Sequence, residues 1–402
     1  MDPETPNPVP PSPPPPPPFT PSLPPPLTPN VPPRAYPQPG MTNRPGQAGR
    51  SRGLKVAVVV LSVLLAMSVF GHLIQGFISA LTTPTTAGDS RLLEVMIENN
   101  HSASKIAVIP VEGLISSAGI EGSGYSTVSL IEDQLKLAGR DERVKAVLLK
   151  VNSPGGEVLA SDDIYRAIEK FQDEYDKPVV ASMGSLAASG GYYVSAPCRW
   201  IVANELTITG SIGVIMQTYN YRGLMNKVGL RPMVFKSGKF KDMLSGDKEL
   251  ENPSPDAKAI NDEEQAMVQK MVNETFQRFK TVVETGRKKA NQDNASNPGG
   301  ASGRKLRGDW ADFADGRILS GKEAQELGLV DETGNWLAAV KRTKILAGES
   351  EVNLVTYQPP FNLGNLFRLF GKSNAGQIKV DLGFDLPRLQ AGLYFLAPSY
   401  LN

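Results

Sequence analysis

Residues Val179–Val194 read VVASMGSLAASGGYYV, and this stretch decides the predicted fold. Its β-branched start indicates a strand, small residues end that strand, and Gly190-Gly191 opens an apolar, aromatic segment typical of a buried helix. Glycines next to a serine leave room for a substrate carbonyl, and unpaired N–H groups at a helix start stabilise negative charge. Ser189, at the tip of this strand–turn–helix, is therefore the candidate nucleophile, although a serine that only caps a helix has the same pattern.

A serine hydroxyl needs a base before it can act as a nucleophile. The chain has only two histidines, His72 in an apolar run and His101 in a polar stretch before the first strand of the globular region. Neither position suits a Ser-His-Asp triad, so we expect a lysine or a carboxylate as the base. Cys198 is the only cysteine, which excludes an intrachain disulfide and disfavours a metal site. We expect no metal and no cofactor.

The N-terminal region differs from the rest of the chain in composition. Of the 34 prolines, 21 lie in the first 50 residues, and this region has almost no aliphatic residues that could form a core. Residues 1–53 are therefore predicted to be a disordered, proline-rich tail that is able to bind an aromatic-lined proline-recognition module. The net charge of +1 and the absence of a basic stripe argue against nucleic acid as a partner.

Residues 54–81 are predicted to form one transmembrane helix. Residues 56–88 contain no charged side chain, and the apolar run is long enough to cross about 30 Å of hydrocarbon. Basic residues precede the run, which places the N-terminus in the cytoplasm and everything after the run outside the cytoplasmic membrane. An uncleaved anchor is favoured over a signal peptide, because the preceding region is long and no A-x-A site follows. Residues 82–104 are predicted to be a polar linker, with a short helix at Arg91–Glu98.

Residues 105–346 are predicted to form an α/β domain, because strands and helices alternate along them. Predicted strands lie at Lys105–Ile115, Val144–Val151, Val179–Val180, Trp200–Ala203, Ser211–Met216 and Arg231–Phe235. Predicted helices include Ser126–Leu137, a helix that ends near Glu174, Pro253–Lys289 and Asn335–Leu346. Residues 347–402 are expected to be an extension of unknown role, whose apolar end, Leu393–Leu401, would cover a neighbouring subunit or lie on the membrane surface.

A second glycine turn, Asn152-Ser-Pro-Gly-Gly156, follows the strand Val144–Val151. The backbone N–H groups of Gly155 and Gly156 are able to stabilise an oxyanion, since no side chain blocks the approach of a substrate. Strand ends of an open α/β sheet share one edge, so both glycine turns are expected to face one cleft.

A basic loop supplies candidate bases. Lys236, Lys239 and Lys241 lie within six residues, and a lysine acts as a base only when burial lowers its pKa. Their spacing does not choose among the three, and the loop is equally consistent with a solvated basic surface.

Five motifs, taken in order, resemble the signal peptide peptidase A family, the protease IV-like serine proteases. They are Val151-Asn-Ser-Pro-Gly-Gly156, Ser182-Met-Gly-Ser-Leu-Ala-Ala-Ser-Gly-Gly-Tyr-Tyr193, Leu206-Thr-Ile-Thr-Gly-Ser-Ile-Gly-Val214, Lys236-Ser-Gly-Lys-Phe-Lys-Asp-Met243 and Ala314-Asp-Gly-Arg317. The resemblance covers about residues 105–346. Each motif occurs once, as in the short, single-repeat form of the family, whose subunits assemble into a ring.

This resemblance implies a ClpP/crotonase-like fold and a Ser/Lys dyad acting on cleaved signal peptides outside the cytoplasmic membrane. By motif, Ser189 is the nucleophile, Lys241 the base and Ser211 the residue that orients the lysine, with Gly155 and Gly156 in the oxyanion loop. The amides of Gly156 and Ser189 would hold the oxyanion. Lys241 would be kept neutral by apolar walls, and Asp242 would have to point away from it. Two other functions remain open, namely an acyl-CoA enzyme of crotonase type and a catalytically silent membrane scaffold.

Overall fold

The computed structural model describes residues 57–72, 92–119, 124–296, 303–360 and 393–396. The chain divides into two compact units, Met1–Thr85 and Thr86–Asn402. The described part of the first unit is one helix, α1 (57–72). Within the described residues, no helix is both long enough and apolar enough to cross a membrane. The predicted tail 1–53, and residues 54–56 and 73–81 of the predicted span, lie outside the described residues.

The second unit contains the remaining elements. Its strands are β1 (Leu93–Glu98), β2 (Lys105–Ile115), β3 (Val144–Glu157), β4 (Val179–Ala187), β5 (Trp200–Ala203), β6 (Ile208–Gly210), β7 (Ile318–Ser320), β8 (Glu332–Thr333), β9 (Asn353–Gln358) and β10 (Tyr394–Leu396). Its helices are α2 (Thr127–Arg140), α3 (Val158–Tyr175), α4 (Gly190–Ser195), α5 (Arg222–Lys227), α6 (Pro255–Ala295), α7 (Gly321–Glu326) and α8 (Trp336–Ala347). A 3₁₀ turn covers Trp310–Phe313.

The main sheet has the strand order β1-β9-β2-β3-β4-β5-β8. Every neighbouring pair from β9 to β8 is parallel. β1 pairs antiparallel with β9, and β10 pairs antiparallel with the end of β3. Strands and helices alternate along the chain from β2 to β5, as the sequence predicts. The mixed α/β class is confirmed.

The alternation of side chains along each strand divides the core into two layers. In β2, Ile106 and Val108 pack on one face of the sheet in a cluster that includes Ala339 of α8. Ala107 and Ile109 point to the other face, where they belong to the larger cluster that includes apolar residues of α2, α3 and α4. With both faces covered, the central strands have the continuous apolar sequence of buried parallel strands.

Several elements differ from the predictions. Residues 93–98 form the strand β1 and not a helix, and β1 and β9 extend the sheet beyond the predicted 105–346. The run 152–156 continues β3 as far as Glu157, so it is not a free turn.

Two predicted strands are also wrong. Ser211–Met216 is irregular apart from a bridge at Ile215, and the strand there, β6, lies just before it. Arg231–Phe235 is not a strand, and Met233 and Phe235 are 82% and 89% exposed. Strand propensity reflects packing on a pleated, half-buried surface, and these exposed side chains have no such surface.

A fully buried ion pair joins Arg287 of α6 to Asp331, and both side chains are only 1% exposed. Arg287 also donates to the carbonyl oxygen of Cys198 at 2.8 Å, and Asp331 accepts from the Ile201 amide at 2.8 Å. The pair therefore connects α6 to the segment between α4 and β5. Cys198 lies in this segment, and burial raises the pKa of its thiol to about 12.

We predict that Asp331→Ala lowers the free energy of unfolding by about 3–5 kcal/mol, because it leaves the Arg287 charge buried without a partner. Urea denaturation of the chain measures this change. The matched control is Glu112→Gln, which breaks a pair with Lys150 in which both side chains are about half exposed and should cost about 1 kcal/mol or less. Equal losses in the two variants would contradict the prediction.

Candidate active site

Ser189 lies between the end of β4 and the start of α4, on a strained backbone. Its φ of 55° and ψ of −117° belong to a region that residues with a side chain rarely adopt. The conformation is held from both sides, since the Ser189 amide donates to the Gly210 carbonyl at 2.8 Å and the Ser189 carbonyl accepts from Tyr193 at 2.8 Å. A strained serine between a strand and a helix is the geometry of a nucleophile elbow.

The side chain of Ser189 is fully buried, and its Oγ has no hydrogen-bond partner within the described part of the chain. Buried hydroxyl groups are almost always hydrogen-bonded, because an unpaired one loses its interaction with water. An orphaned hydroxyl on a strained turn therefore points to a reactive group more strongly than the sequence pattern does.

The two glycine turns predicted to share a cleft lie side by side. A Cβ added to Gly190 would lie 2.9 Å from the Gly155 Cα and 3.1 Å from the Gly156 amide nitrogen. Gly155 has a φ of 103°, which favours glycine. Glycine is thus required at these positions for close contact between the two backbones as well as for turn formation.

The structure changes which amides are candidates for binding an oxyanion. The Ser189 amide is bound to the Gly210 carbonyl, so it is not free to hold an oxyanion as predicted. The Gly155 amide donates to Ser153 Oγ at 3.1 Å. Gly156, which was predicted, and Gly190, which was not, supply the amides that lie beside the serine. The amide of the residue after a nucleophile is a common oxyanion donor, and this rule identifies Gly190 once Ser189 is chosen.

Ser211, the predicted orienting residue, is 3% exposed and has a φ of 50°. Its amide donates to the Arg317 carbonyl at 2.7 Å, and the preceding residue, Gly210, holds the Ser189 amide. The structure therefore places the backbone of Ser211 close to that of Ser189. Its hydrogen bond to a lysine stays a prediction.

Lys241 lies in the loop between α5 and α6, and its side chain is exposed. The predicted apolar shelter around its amine is therefore absent from the described residues of this single chain. Since Ser189 Oγ has no partner among those residues, the two side chains are not hydrogen-bonded. Asp242 does point elsewhere, because its carboxylate binds Lys236 at 2.8 Å and Lys248 at 3.3 Å.

Two aromatic side chains, Tyr193 and Phe279, lie next to the serine turn and are called the aromatic wall. The Tyr193 ring lies 4.9 Å from the Phe279 ring, measured between centroids. The Tyr193 hydroxyl donates to Asp162 at 2.6 Å, and Arg278 donates to the same carboxylate oxygen at 3.0 Å. Burial, together with this hydrogen bond to Asp162, raises the pKa of Tyr193. The phenol therefore stays protonated, and its hydrogen bond fixes the ring one helical turn after Ser189.

Fold and site together define the class of α/β proteins in which a serine stands on a strained strand-to-helix turn beside a glycine loop, as in serine hydrolases.

Comparison with known proteins identifies the family. The model of peptidase family S49 matches residues 171–350. Signal peptide peptidase SppA of Enterococcus faecium is 35% identical over 69% of this chain and 76% of its own length. A protease of Synechocystis sp. is 36% identical over 69% of this chain and 87% of its own. Protease 4 of Haemophilus influenzae is 33% identical over 63% of this chain but only 37% of its own.

The chain belongs to peptidase family S49 and is a serine peptidase. It matches most of the length of the first two relatives and about a third of protease 4, as expected for the single-repeat form. Family membership favours a peptidase over an acyl-CoA enzyme.

We predict that Gly190→Ala lowers kcat for peptide hydrolysis about 100-fold, because the new methyl group forces the Gly155–Gly156 backbone away from Ser189, and misplacements of about 1 Å have effects of this size. Steady-state kinetics measure the change. Gly308→Ala is the control, since a Cβ there meets nothing within 4 Å. Unchanged kcat in a folded Gly190→Ala variant would show that the contact between the turns is not needed for catalysis.

Proposed function

We propose that this protein is a membrane-anchored endopeptidase with a ClpP/crotonase-like catalytic domain, which uses a Ser189/Lys241 dyad. The observation that carries the proposal is the buried hydroxyl of Ser189 on its strained turn, which has no hydrogen-bond partner among the residues that the structure describes. Its substrates are short apolar peptides, including the remnants of cleaved signal peptides. The Enterococcus faecium relative is named as a signal peptide peptidase, which supports this substrate class.

The proposed reaction has two steps. The neutral amine of Lys241 takes the proton of Ser189 Oγ as the oxygen attacks the scissile carbonyl carbon, and the amides of Gly156 and Gly190 bind the resulting oxyanion. Lys241 then returns the proton to the leaving amine, and the C–N bond breaks to give an acyl-enzyme. Water then attacks the ester carbonyl carbon while Lys241 takes its proton. Lys241 returns that proton to Ser189 Oγ as the ester C–O bond breaks, which releases the acid product and restores the free serine. Ser211 orients the lysine.

We propose that the dyad is completed in a homo-oligomeric ring, in which Lys241 of one copy reaches Ser189 of the next. Two features support this arrangement. Lys241 is exposed on the single chain, and the loop that carries it has large exposed apolar side chains, among them Val228, Met233 and Phe235. Exposed apolar patches of this kind mark protein–protein contacts.

The proposed location is the cytoplasmic membrane, with a single span, the proline-rich tail in the cytoplasm and the catalytic domain outside. The uncharged run 56–88 and the basic residues before it support this topology. We further propose that the tail binds a proline-recognition partner.

We predict that Ser189→Ala and Lys241→Ala each lower kcat for an apolar peptide by about 10³-fold or more, because nucleophile and base act as a unit. The control is Lys239→Ala, which removes a neighbouring lysine paired with Glu263 at the surface and should leave kcat nearly unchanged. Fluorogenic peptide hydrolysis measures activity, and thermal unfolding confirms that each variant is folded. Full activity of folded Ser189→Ala would overturn the proposed function.

A second prediction concerns the ring. Co-expressed Ser189→Ala and Lys241→Ala chains should recover about a quarter of the wild-type activity, because each site needs an intact serine from one copy and an intact lysine from the next. The control pairs Ser189→Ala with the Ser189→Ala/Lys241→Ala double variant, which offers no intact serine. If the co-assembled single variants stay inactive, both members of the dyad come from the same chain.

A further inference from the structure

The turn Ala314–Arg317 is one of the five sequence motifs, but none of its side chains takes part in the proposed reaction. The turn comes directly before β7, which pairs antiparallel with β6. Two backbone hydrogen bonds continue this pairing beyond the strands. The Ser211 amide donates to the Arg317 carbonyl at 2.7 Å, and the Gly316 amide donates to the Ile212 carbonyl at 3.1 Å. The turn therefore lies against the segment that follows β6.

The same segment holds the candidate nucleophile. The Ser189 amide donates to the Gly210 carbonyl at 2.8 Å, and the next residue, Ser211, is the one bound to the turn. Both serines have a positive φ, 55° at Ser189 and 50° at Ser211, which residues with a side chain rarely adopt. Such conformations persist only where the surrounding structure enforces them. A chain of hydrogen bonds thus connects the strained serine turn to the Arg317 carbonyl.

The turn has a fixed conformation of its own. The Asp315 carboxylate accepts from the Arg317 amide at 3.1 Å and from the Arg317 guanidinium at 2.8 and 2.5 Å. The hydrogen bonds from Arg317 lower the pKa of Asp315 to about 2, so the carboxylate is charged at neutral pH. Gly316 has a φ of 89°, which favours glycine. The carboxylate and the glycine together fix the direction of the Arg317 peptide group.

A second pair of the same kind provides an internal reference. Arg307 pairs with Asp309, two residues away, and both Arg307 and Arg317 contact the ring of Phe313, at 5.1 and 5.3 Å from its centroid. The side chains of both pairs are about half exposed, so each pair contributes little to stability. The Arg307 amide donates to the Leu327 carbonyl and not to the segment after β6. The two pairs therefore differ in what their backbones hold.

We propose that Ala314–Arg317 is a positioning element of the active site, with Asp315 and Gly316 as its positioning residues. They fix the Arg317 carbonyl, and the segment bound to that carbonyl carries the proposed orienting residue and holds the nucleophile. The inference rests on the proposed function, since it names what keeps these two serines in place. Loss of the element displaces reacting groups without removing one, so it lowers kcat and leaves KM nearly unchanged.

Steady-state hydrolysis of an apolar peptide by the full chain tests the role of Asp315. Asp315→Ala should lower kcat about tenfold, because the Arg317 amide loses its acceptor and the turn shifts. Asp315→Asn keeps an oxygen acceptor for that amide and should recover about half of the wild-type kcat or more. The control, Asp309→Ala, breaks the matched pair and should leave kcat nearly unchanged. Equal kcat in the two alanine variants, or no recovery in Asp315→Asn, would overturn the proposal.

A glycine pair tests the same element without removing a side chain. Gly316 and Gly348 have φ of 89° and 71°, and a Cβ on either meets nothing within 4 Å. Alanine therefore introduces similar backbone strain at both positions, but only Gly316 lies in the turn. We expect kcat of Gly316→Ala to be about tenfold below that of Gly348→Ala, with similar thermal unfolding of the two variants. Equal kcat would show that the turn does not position the serines.

The outcomes separate this inference from the proposed function. Full activity of folded Ser189→Ala would overturn the proposed nucleophile, and the positioning role would be overturned with it. If Ser189→Ala is inactive while each turn variant has the same kcat as its control, the proposed function stands and only the positioning role is overturned.

Discussion

The close approach of two glycine backbones, at Gly155 and Gly190, is the constraint on which the site depends. Only residues without a Cβ allow two backbones to come this close. The contact between Gly155 and Gly190 therefore sets the distance between the end of β3 and the start of α4. Ser189, directly before Gly190, is thereby held on a strained backbone beside the Gly156 amide. Strain of this kind persists only where surrounding contacts enforce it. Here the hydrogen bond that Ser189 donates to the Gly210 carbonyl and the one that it accepts from the Tyr193 amide do so.

Local pattern was sufficient to predict the central elements and the glycine turn at Ser189, whereas the second glycine run, 152–156, continues β3. β2 and β5 have the predicted bounds, and α6 begins within two residues of the prediction. Pairings between distant parts of the chain were not predictable. β1 pairs with β9, and β10 pairs with β3, although the paired strands are far apart in the sequence. The short apolar runs of these strands do not indicate with which strand each will pair. Arg231–Phe235 is the opposite case. Its residues have high strand propensity, but in the described structure they do not pair with any strand.

In the site as well, the sequence indicated which residue types matter but not how they are arranged in space. Ser189 was identified from two glycines and a strand end, and Lys241 only through a motif resemblance. The identity of the oxyanion donors depended on which amides were already bonded, and the Ser189 amide was bonded to Gly210. The state of Lys241 depends on what covers it, which no local pattern records. The carboxylate of its neighbour Asp242 pairs with Lys236 and Lys248 and therefore points away from the Lys241 amine.

The buried thiol of Cys198 has a practical consequence. It is the only cysteine in the chain, its carbonyl oxygen accepts a hydrogen bond from Arg287, and burial keeps its thiol protonated at neutral pH. The thiolate is the form of cysteine that reacts with alkylating reagents. The folded native chain is therefore expected not to react with maleimides. A single cysteine placed on the surface, for instance at Leu337 of α8, which is 72% exposed, would then carry a fluorophore or spin label at one known position without any need to replace Cys198.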